Sequence, residues 1–332
     1  MHQTRRRLLA RTAQAAATVA VAVVGLGTTI AAHAQAYPNK PITMIVGAAP
    51  GGTTDIAARL LAEPLGKALG QTVVVDNRSG ASGALAAVAV KRAEPDGYTI
   101  LMQYSGYHVI TPHIQKAAWD LKDLRPVANV LTAPQLIVVR EGLPVKTTAE
   151  LIAYAKKHPG KLSFASSGNG SLQHVTGVML EQQAGIEMIH VPYKGTGPAL
   201  QDLLGGQVDL TFGTPPPFMP FIASGKLRAV AVTGKERLPS LPNVPTAAQA
   251  GLPDLDAGSW FAVFAPVKTP QAVVDRLTAE IAKIMATPEF KKKASELGAV
   301  ADYMTPQQLE AHSAAEFLRW GKVITAAKIQ AD

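Results

Sequence analysis

Apolar and polar positions in this chain fall into short blocks whose period switches repeatedly between that of a strand and that of a helix. Ile42–Val46 is a β-branched, almost wholly apolar run and predicts a strand. From Asp55 to Leu69 the period lengthens, with Ile56, Leu60, Leu61 and Leu65 on one helical face. Pro64 within that stretch predicts a kink, because proline supplies no N–H to the helical ladder. Thr72–Val75 predicts a strand, Ala84–Lys91 a helix of small residues, and Tyr98–Met102 a strand after the turn Glu94–Gly97. The middle of the chain repeats the scheme. Strands are predicted over Pro134–Val139, Leu162–Ala165, Glu187–Val191, Val208–Phe212 and Leu227–Thr233. Helices are predicted over Thr148–Lys157, opened by Thr147 or Thr148 as N-cap, Leu172–Gln183 and Pro198–Leu204. Trp260–Phe264 returns as a strand, and the remainder reads as helical over Pro270–Ala286, Pro288–Leu297 and Pro306–Ala326. Alternation with short connections implies an α/β fold with a mostly parallel sheet covered on both faces.

Four of the strand-to-helix junctions are glycine- or serine-rich: Ala49–Asp55, Asn77–Gly83, Ser166–Gly170 and Pro192–Gly197. Glycine lets the backbone come close to a ligand, and a helix start aims free N–H groups at it, so such turns suit an anion. No lysine follows Gly51-Gly52, which sets this turn apart from the nucleotide phosphate loop. In open α/β sheets ligands bind beyond the carboxyl ends of strands. Two early and two later junctions therefore predict two lobes facing one cleft.

Charge and composition narrow the setting. Arg5-Arg6-Arg7 and Arg11 precede the uncharged stretch Ala13–Ile30, and small residues at 32–36 offer a cleavage site. Residues 1–36 are therefore expected to be a cleaved export signal, cut near residue 34–36, by either the general secretory or the twin-arginine route. The stretch is short for a membrane anchor, and no later stretch of the sequence is long and apolar enough to span. Losing four arginines and no acids would take the formal net charge from +8 to +4. That balance, with no basic block, argues against a nucleic-acid partner. Lys291-Lys292-Lys293 sits in a helical pattern and reads as a solvated face. There is no cysteine, hence no disulfide, cysteine–metal site or lipid-anchored thiol. With 47% apolar and 17% charged residues, a well-covered core is expected in a soluble periplasmic product.

Several segments together resemble a known family. They are Pro50-Gly51-Gly52 with Asp55, Val75-Asp76-Asn77-Arg78 with Gly80-Ala81, Pro95-Asp96-Gly97-Tyr98, and Val191-Pro192-Tyr193-Lys194-Gly195 with Pro198-Ala199. Ser224-Gly225-Lys226-Leu227-Arg228, Pro242-Asn243-Val244-Pro245-Thr246 and Trp260 with Ala265-Pro266 follow in order. From Tyr37 to the C-terminus the chain resembles the periplasmic solute-binding proteins of tripartite tricarboxylate transporters, the Bug family. The resemblance implies a type II periplasmic binding protein fold, two lobes each with a helix-covered sheet and a cleft between them. It implies lobe 1 as residues 37–137 plus 263–332 and lobe 2 as residues 138–262. It further implies a monomer without cofactor that captures a small carboxylate by clamshell closure and delivers it to integral-membrane transporter subunits. A ligand-sensing protein serving a signalling receptor and a periplasmic hydrolase stand as the alternatives.

Carried onto this sequence, the family's carboxylate grip falls on Gly51, Gly52 and Thr53 in one lobe and on Lys194, Gly195, Thr196 and Gly197 in the other, with Tyr193 beside them. Hydrogen bonds to a charged group contribute roughly 1.5–3 kcal/mol each, and a helix N-terminus about 0.3–1 kcal/mol. Together they approach the roughly 8 kcal/mol of micromolar binding. Asp55 is expected to order its own turn and point away from the anion. Ser105 and Tyr107 follow a strand end where the family places ligand contacts; Tyr107 either meets the ligand's far end or plugs the hinge. Ser166, Ser167 and Asn169 offer capping and ligand contact together, and His174 is either structural or a ligand group. His108 and His113 straddle Thr111-Pro112 and fit a metal pair poorly. Arg78 reads as a structural ion pair, and Trp260 as packing where the chain crosses between lobes. Where relatives carry an acidic residue and Asn-Leu-Pro, this chain has Gly213-Thr214-Pro215-Pro216-Pro217, which leaves ligand contact there open. No Gly-x-Ser-x-Gly elbow, Walker A or His-Glu-x-x-His occurs, so no catalytic residue is assigned.

Overall fold

In a computed structural model, which describes residues 37–116 and 118–330, the first apolar run becomes strand β1 (Ile42–Val46) with only Thr43 incompletely buried. It lies between β2 (Val73–Asn77) and β3 (Thr99–Tyr104), parallel to both. β4 (Leu124–Pro134), β10 (Gly258–Pro266) and β11 (Val300–Met304) complete a six-stranded sheet of order β11-β4-β10-β3-β1-β2. A second, five-stranded sheet runs β7-β6-β8-β5-β9. Its strands are β5 (Leu136–Arg140), β6 (Ser163–Ser166), β7 (Ile189–Pro192), β8 (Leu210–Gly213) and β9 (Leu227–Val232). The expected export segment falls at residues 1–36, outside the described residues.

Both sheets are mixed rather than mostly parallel. β10 returns from the second sheet and inserts between β3 and β4, antiparallel to each, and β5 is antiparallel to β8 and β9. Strand direction on return from another sheet is a long-range property, which local alternation does not reveal. The apolar pattern predicts neither β4 nor β11. β4 carries Pro126, Asn129 and Pro134, which break its apolar alternation, and its register with β10 shifts twice. β11 is a half-exposed edge held by side chains: Asn129 Nδ2 donates to the Asp302 carbonyl (2.7 Å), and Thr132 Oγ1 to Asp302 Oδ2 (2.7 Å).

Helices α1 (Thr53–Leu69), α2 (Ala84–Lys91), α3 (Thr148–Lys157), α4 (Leu172–Ala184), α5 (Thr196–Leu204), α6 (Gln271–Ala286), α7 (Pro288–Glu296) and α8 (Pro306–Ala326) cover the sheets. α1 continues through Pro64 as one helix; of the predicted face Leu61 and Leu65 are buried, whereas Ile56 and Leu60 are only partly so, and Ala57, Ala58 and Leu69 complete the buried stripe. β5 shows how a sheet is sandwiched. Ile137 and Val139 face one core with Leu151 of α3 and Leu180 of α4. Leu136 and Val138 face another with Ala199, Leu200 and Leu203 of α5. Successive side chains point to opposite faces, so a strand buried on both sides is apolar throughout.

The chain passes between sheets at Gln135 and returns through residues 233–257. Thr233 ties the crossings together: the Gln135 N–H donates to its Oγ1 (2.9 Å), and Oγ1 donates to the Ala257 carbonyl (2.5 Å). Trp260, just past the return, is buried against the rings of His108, Phe264 and His312.

Candidate ligand-binding site

Two helix N-termini from different sheets meet at one point. α1 starts at Thr53 after Gly51, whose φ of 85° lies in the left-handed region. The Gly51 N–H donates to Asp55 Oδ2 (3.0 Å), and Arg59 Nε donates to Asp55 Oδ1 (3.0 Å). Asp55 is thus buried, paired with a cation and turned back onto its own turn. The first-turn amides of α1 have no intrahelical partner, and the N-cap Gly52 packs against Thr196 of the opposing loop. That loop opens α5 after Gly195, whose φ is 125°.

The two loops touch directly. The Ala49 N–H donates to the Lys194 carbonyl (3.1 Å), and from the loop after β8 Thr214 Oγ1 donates to Thr53 Oγ1 (2.7 Å). A Cβ on Gly197 would overlap the Pro50 carbonyl oxygen, and one on Gly195 would lie 3.0 Å from the Ala49 nitrogen. Only glycine permits this approach. Nearby, the turn after β6 is held from the first sheet. Tyr107 Oη donates to the Ser167 carbonyl (2.6 Å), Ser82 Oγ to the Asn169 carbonyl (2.7 Å), and Thr111 Oγ1 to the Gly170 carbonyl (3.0 Å). Gln115 Nε2 also donates to the Asn169 carbonyl (2.5 Å).

Between these contacts lies a cavity of about 20 Å³, lined by Ala48, Gly52, Thr53, Thr54, Tyr104, Tyr107, Ser167, Gln173, Thr196, Thr214, Ser259 and Phe261. That is room for roughly one water, so admitting a larger solute requires the loops to part. No lining side chain is ionised at neutral pH; the electrostatics come from backbone, with the positive ends of α1 and α5 converging. Burial pushes the Tyr104 hydroxyl above its usual range and the Tyr107 hydroxyl up to about 12, so both are neutral donors.

Of the residues singled out from the sequence, Gly52, Thr53, Tyr107, Ser167 and Thr196 line the cavity. Gly51, Gly195 and Gly197 shape the loops behind it. Lys194 exposes its side chain and contributes its carbonyl. Tyr193 donates to Asp202 Oδ2 (2.6 Å). Ser105 Oγ accepts from the Trp260 N–H (3.2 Å), within the first sheet. Asn169 offers its carbonyl to Ser82 and Gln115. Ser166 Oγ lies 2.6 Å from His190 Nε2, and the His190 ring stacks on His174 at 4.2 Å. His174 Nδ1 in turn accepts from the Gly170 N–H (3.2 Å), bracing the turn from inside.

Sequence reading missed Ala48, Thr54, Tyr104, Gln173, Thr214, Ser259 and Phe261. Some had a usable signal. Gln173 is the second residue of the helix opened by the third Gly/Ser turn, and Ser259 and Phe261 share the strand face opposite Trp260. Thr214 belongs to the departing Pro-rich loop, which borders the cavity. Among the described residues no group of three or more acidic or histidine side chains is placed to hold a metal, and no helix is long and apolar enough to cross a membrane.

Comparison with known proteins agrees with this geometry. Residues 57–329 match the model of the tripartite tricarboxylate transporter family receptor. Protein BugT of Bordetella pertussis is 35% identical over 321 residues, 95% of this chain and 98% of that one. The periplasmic binding protein BugD superposes with a TM-score of 0.85 at 36% identity, covering 89% of this chain and 99% of that one. The R. palustris protein Rpa4515 with adipate gives 0.86 at 37%, with coverage of 89% and 99%. MatC (Rpa3494) from Rhodopseudomonas palustris with bound malate gives 0.83 at 33%, with coverage of 87% and 100%. The two sheets are thus the two lobes of a periplasmic-binding fold.

Proposed function

The chain belongs to the tripartite tricarboxylate transporter receptor family, and we propose that it captures a small carboxylate between its lobes and presents it to a membrane transporter. The observation that carries this reading is the meeting of α1 and α5, from different lobes, N-terminus to N-terminus at one cavity without an acidic lining side chain. Two positive helix ends held together repel unless an anion lies between them, so ligand and closure favour each other. Relatives that hold adipate and malate support a carboxylate as that anion. In this reading lobe 1 comprises residues 37–135 and 258–332 and lobe 2 the residues between, with the crossings at Gln135 and Thr233 as hinge. These bounds lie a few positions from the expected ones at 137/138 and 262/263 because β5 begins at Leu136 and β10 at Gly258.

The proposed role is capture rather than catalysis. Ser166 has a histidine at hydrogen-bond distance, but its hydroxyl is fully buried, engaged with the Gly168 backbone and absent from the cavity lining. A nucleophile needs access to substrate. We further propose that residues 1–36 direct export and are removed, and that the protein works in the periplasm as a monomer.

A thermal-shift screen of small carboxylates against neutral sugars tests the reading. A specific ligand raises the melting temperature by mass action; stabilisation by sugars with none by any carboxylate overturns it.

A further inference from the structure

The cavity contains a buried acceptor without a protein donor. Gln173 is buried to 4% exposure and donates through Nε2 to Thr196 Oγ1 (3.1 Å), while no protein group donates to its Oε1. Ser167 Oγ, also at 4% exposure and lining the same cavity, is likewise unpartnered. A buried carbonyl oxygen left unsatisfied is destabilising, and such groups normally find a donor. The position of this one is specific. Thr196 is the first residue of α5, so the bond to its hydroxyl holds the Gln173 amide beside the helix end that attracts the anion.

An acceptor oxygen beside a carboxylate repels it unless a donor stands between the two. Building on the carboxylate reading above, we propose that Gln173 selects carboxylates bearing an O–H or N–H donor on the neighbouring carbon, that is, 2-hydroxy or 2-amino acids over their unsubstituted parents. The donor bonds to Gln173 Oε1, and Ser167 Oγ has both donor and acceptor capacity for the same substituent. Recognition of this kind discriminates well, because an analogue without the donor leaves the buried oxygen unpaired. Tyr104 and Phe261, their rings stacked at 5.6 Å, line the same cavity, whose small volume limits the substituent to a small one.

Calorimetric titration of the whole mature protein with two matched sets tests this: malate, aspartate and succinate, then lactate, alanine and propionate. In at least one set the hydroxyl or amino member should bind about tenfold or more tightly than its parent. Whether malate and lactate or aspartate and alanine win separates hydroxyl from amine. In Gln173→Met, which keeps length and removes the acceptor, that preference should collapse to within about threefold; Gln173→Leu serves if the first variant melts early. Equal binding of parent and substituted acids by the wild type overturns the proposal, as does a preference that survives the Gln173 substitutions. Binding of no carboxylate at all overturns the anion reading of the cavity, and this proposal with it.

Discussion

The Tyr107 hydroxyl donates to the Ser167 carbonyl oxygen at 2.6 Å, joining the π-helical turn Gly106–Ile110 after β3 to the turn after β6 and so linking the two lobes. Both groups are buried, and the bond exists only when the lobes are together. Its loss would weaken the closed state by about 1–3 kcal/mol, since the carbonyl would be left unpaired. Tyr107→Phe keeps the ring against Tyr104, 5.0 Å away, so the fold should survive. Ligand affinity should fall by about tenfold. Unchanged affinity in calorimetry would show that the bond plays no part in closure.

Gly197 sets how closely the lobes approach. A methyl group there collides with the Pro50 carbonyl, which is backbone and has no rotamer in which to escape. Gly197→Ala should melt like the wild type yet lose at least about a hundredfold in affinity, because the closed geometry carries the binding energy. Small-angle scattering at saturating ligand is the direct check: compaction equal to the wild type's would refute the steric argument.

Asp55 holds the first loop from behind, accepting from Gly51 and Arg59. Asp55→Asn replaces one acceptor with a donor facing two donors. Stability should drop by about 1–3 kcal/mol, without any gain in ligand affinity. A gain would mean that the carboxylate repels the bound anion, contrary to its orientation.

His108 lies among Trp119, Trp260 and Phe264, and burial drives its imidazole pKa down to about 3. Its ordinary value is about 6.5, so between those limits the unfolded chain binds the extra proton. The stability associated with this neutral, buried ring is therefore fully present above pH 6.5 and declines as pH falls toward 3, by about 1.4 kcal/mol per unit. In urea titrations the wild type should lose stability as pH falls below 6.5 while His108→Phe lacks that pH-dependent loss, so the two pH slopes differ. Parallel slopes would mean that His108 takes up its proton in the folded state.

Sequence was informative where chemistry is local. The observed bounds of β1, α2, α3 and α8 match the sequence pattern, because nearly apolar runs, small-residue periodicity and caps such as Thr147 act within a few residues. The loops at Gly51-Gly52 and Gly195–Gly197 were legible for the same reason, since their glycines answer a backbone demand. Gln173 and Thr214 were not. Gln173 follows a legible Gly/Ser turn and Thr214 sits in a Pro-rich loop already open to ligand contact, but which side chain of either segment faces the cavity is set by distant packing.

By itself, then, the sequence determined the alternation of strands and helices, the anion-suited turns and the family to which they belong, all consequences of near-neighbour periodicity and backbone freedom. Tertiary structure alone decided that β10 reverses between β3 and β4, that Ser166 turns to His190 while Ser167 turns to the cavity, and that Gln173 faces the junction of two helix ends. Those outcomes depend on which distant segments pack together. Side-chain direction at a strand end follows from that packing, and a one-residue difference there exchanges a cavity wall for a buried brace.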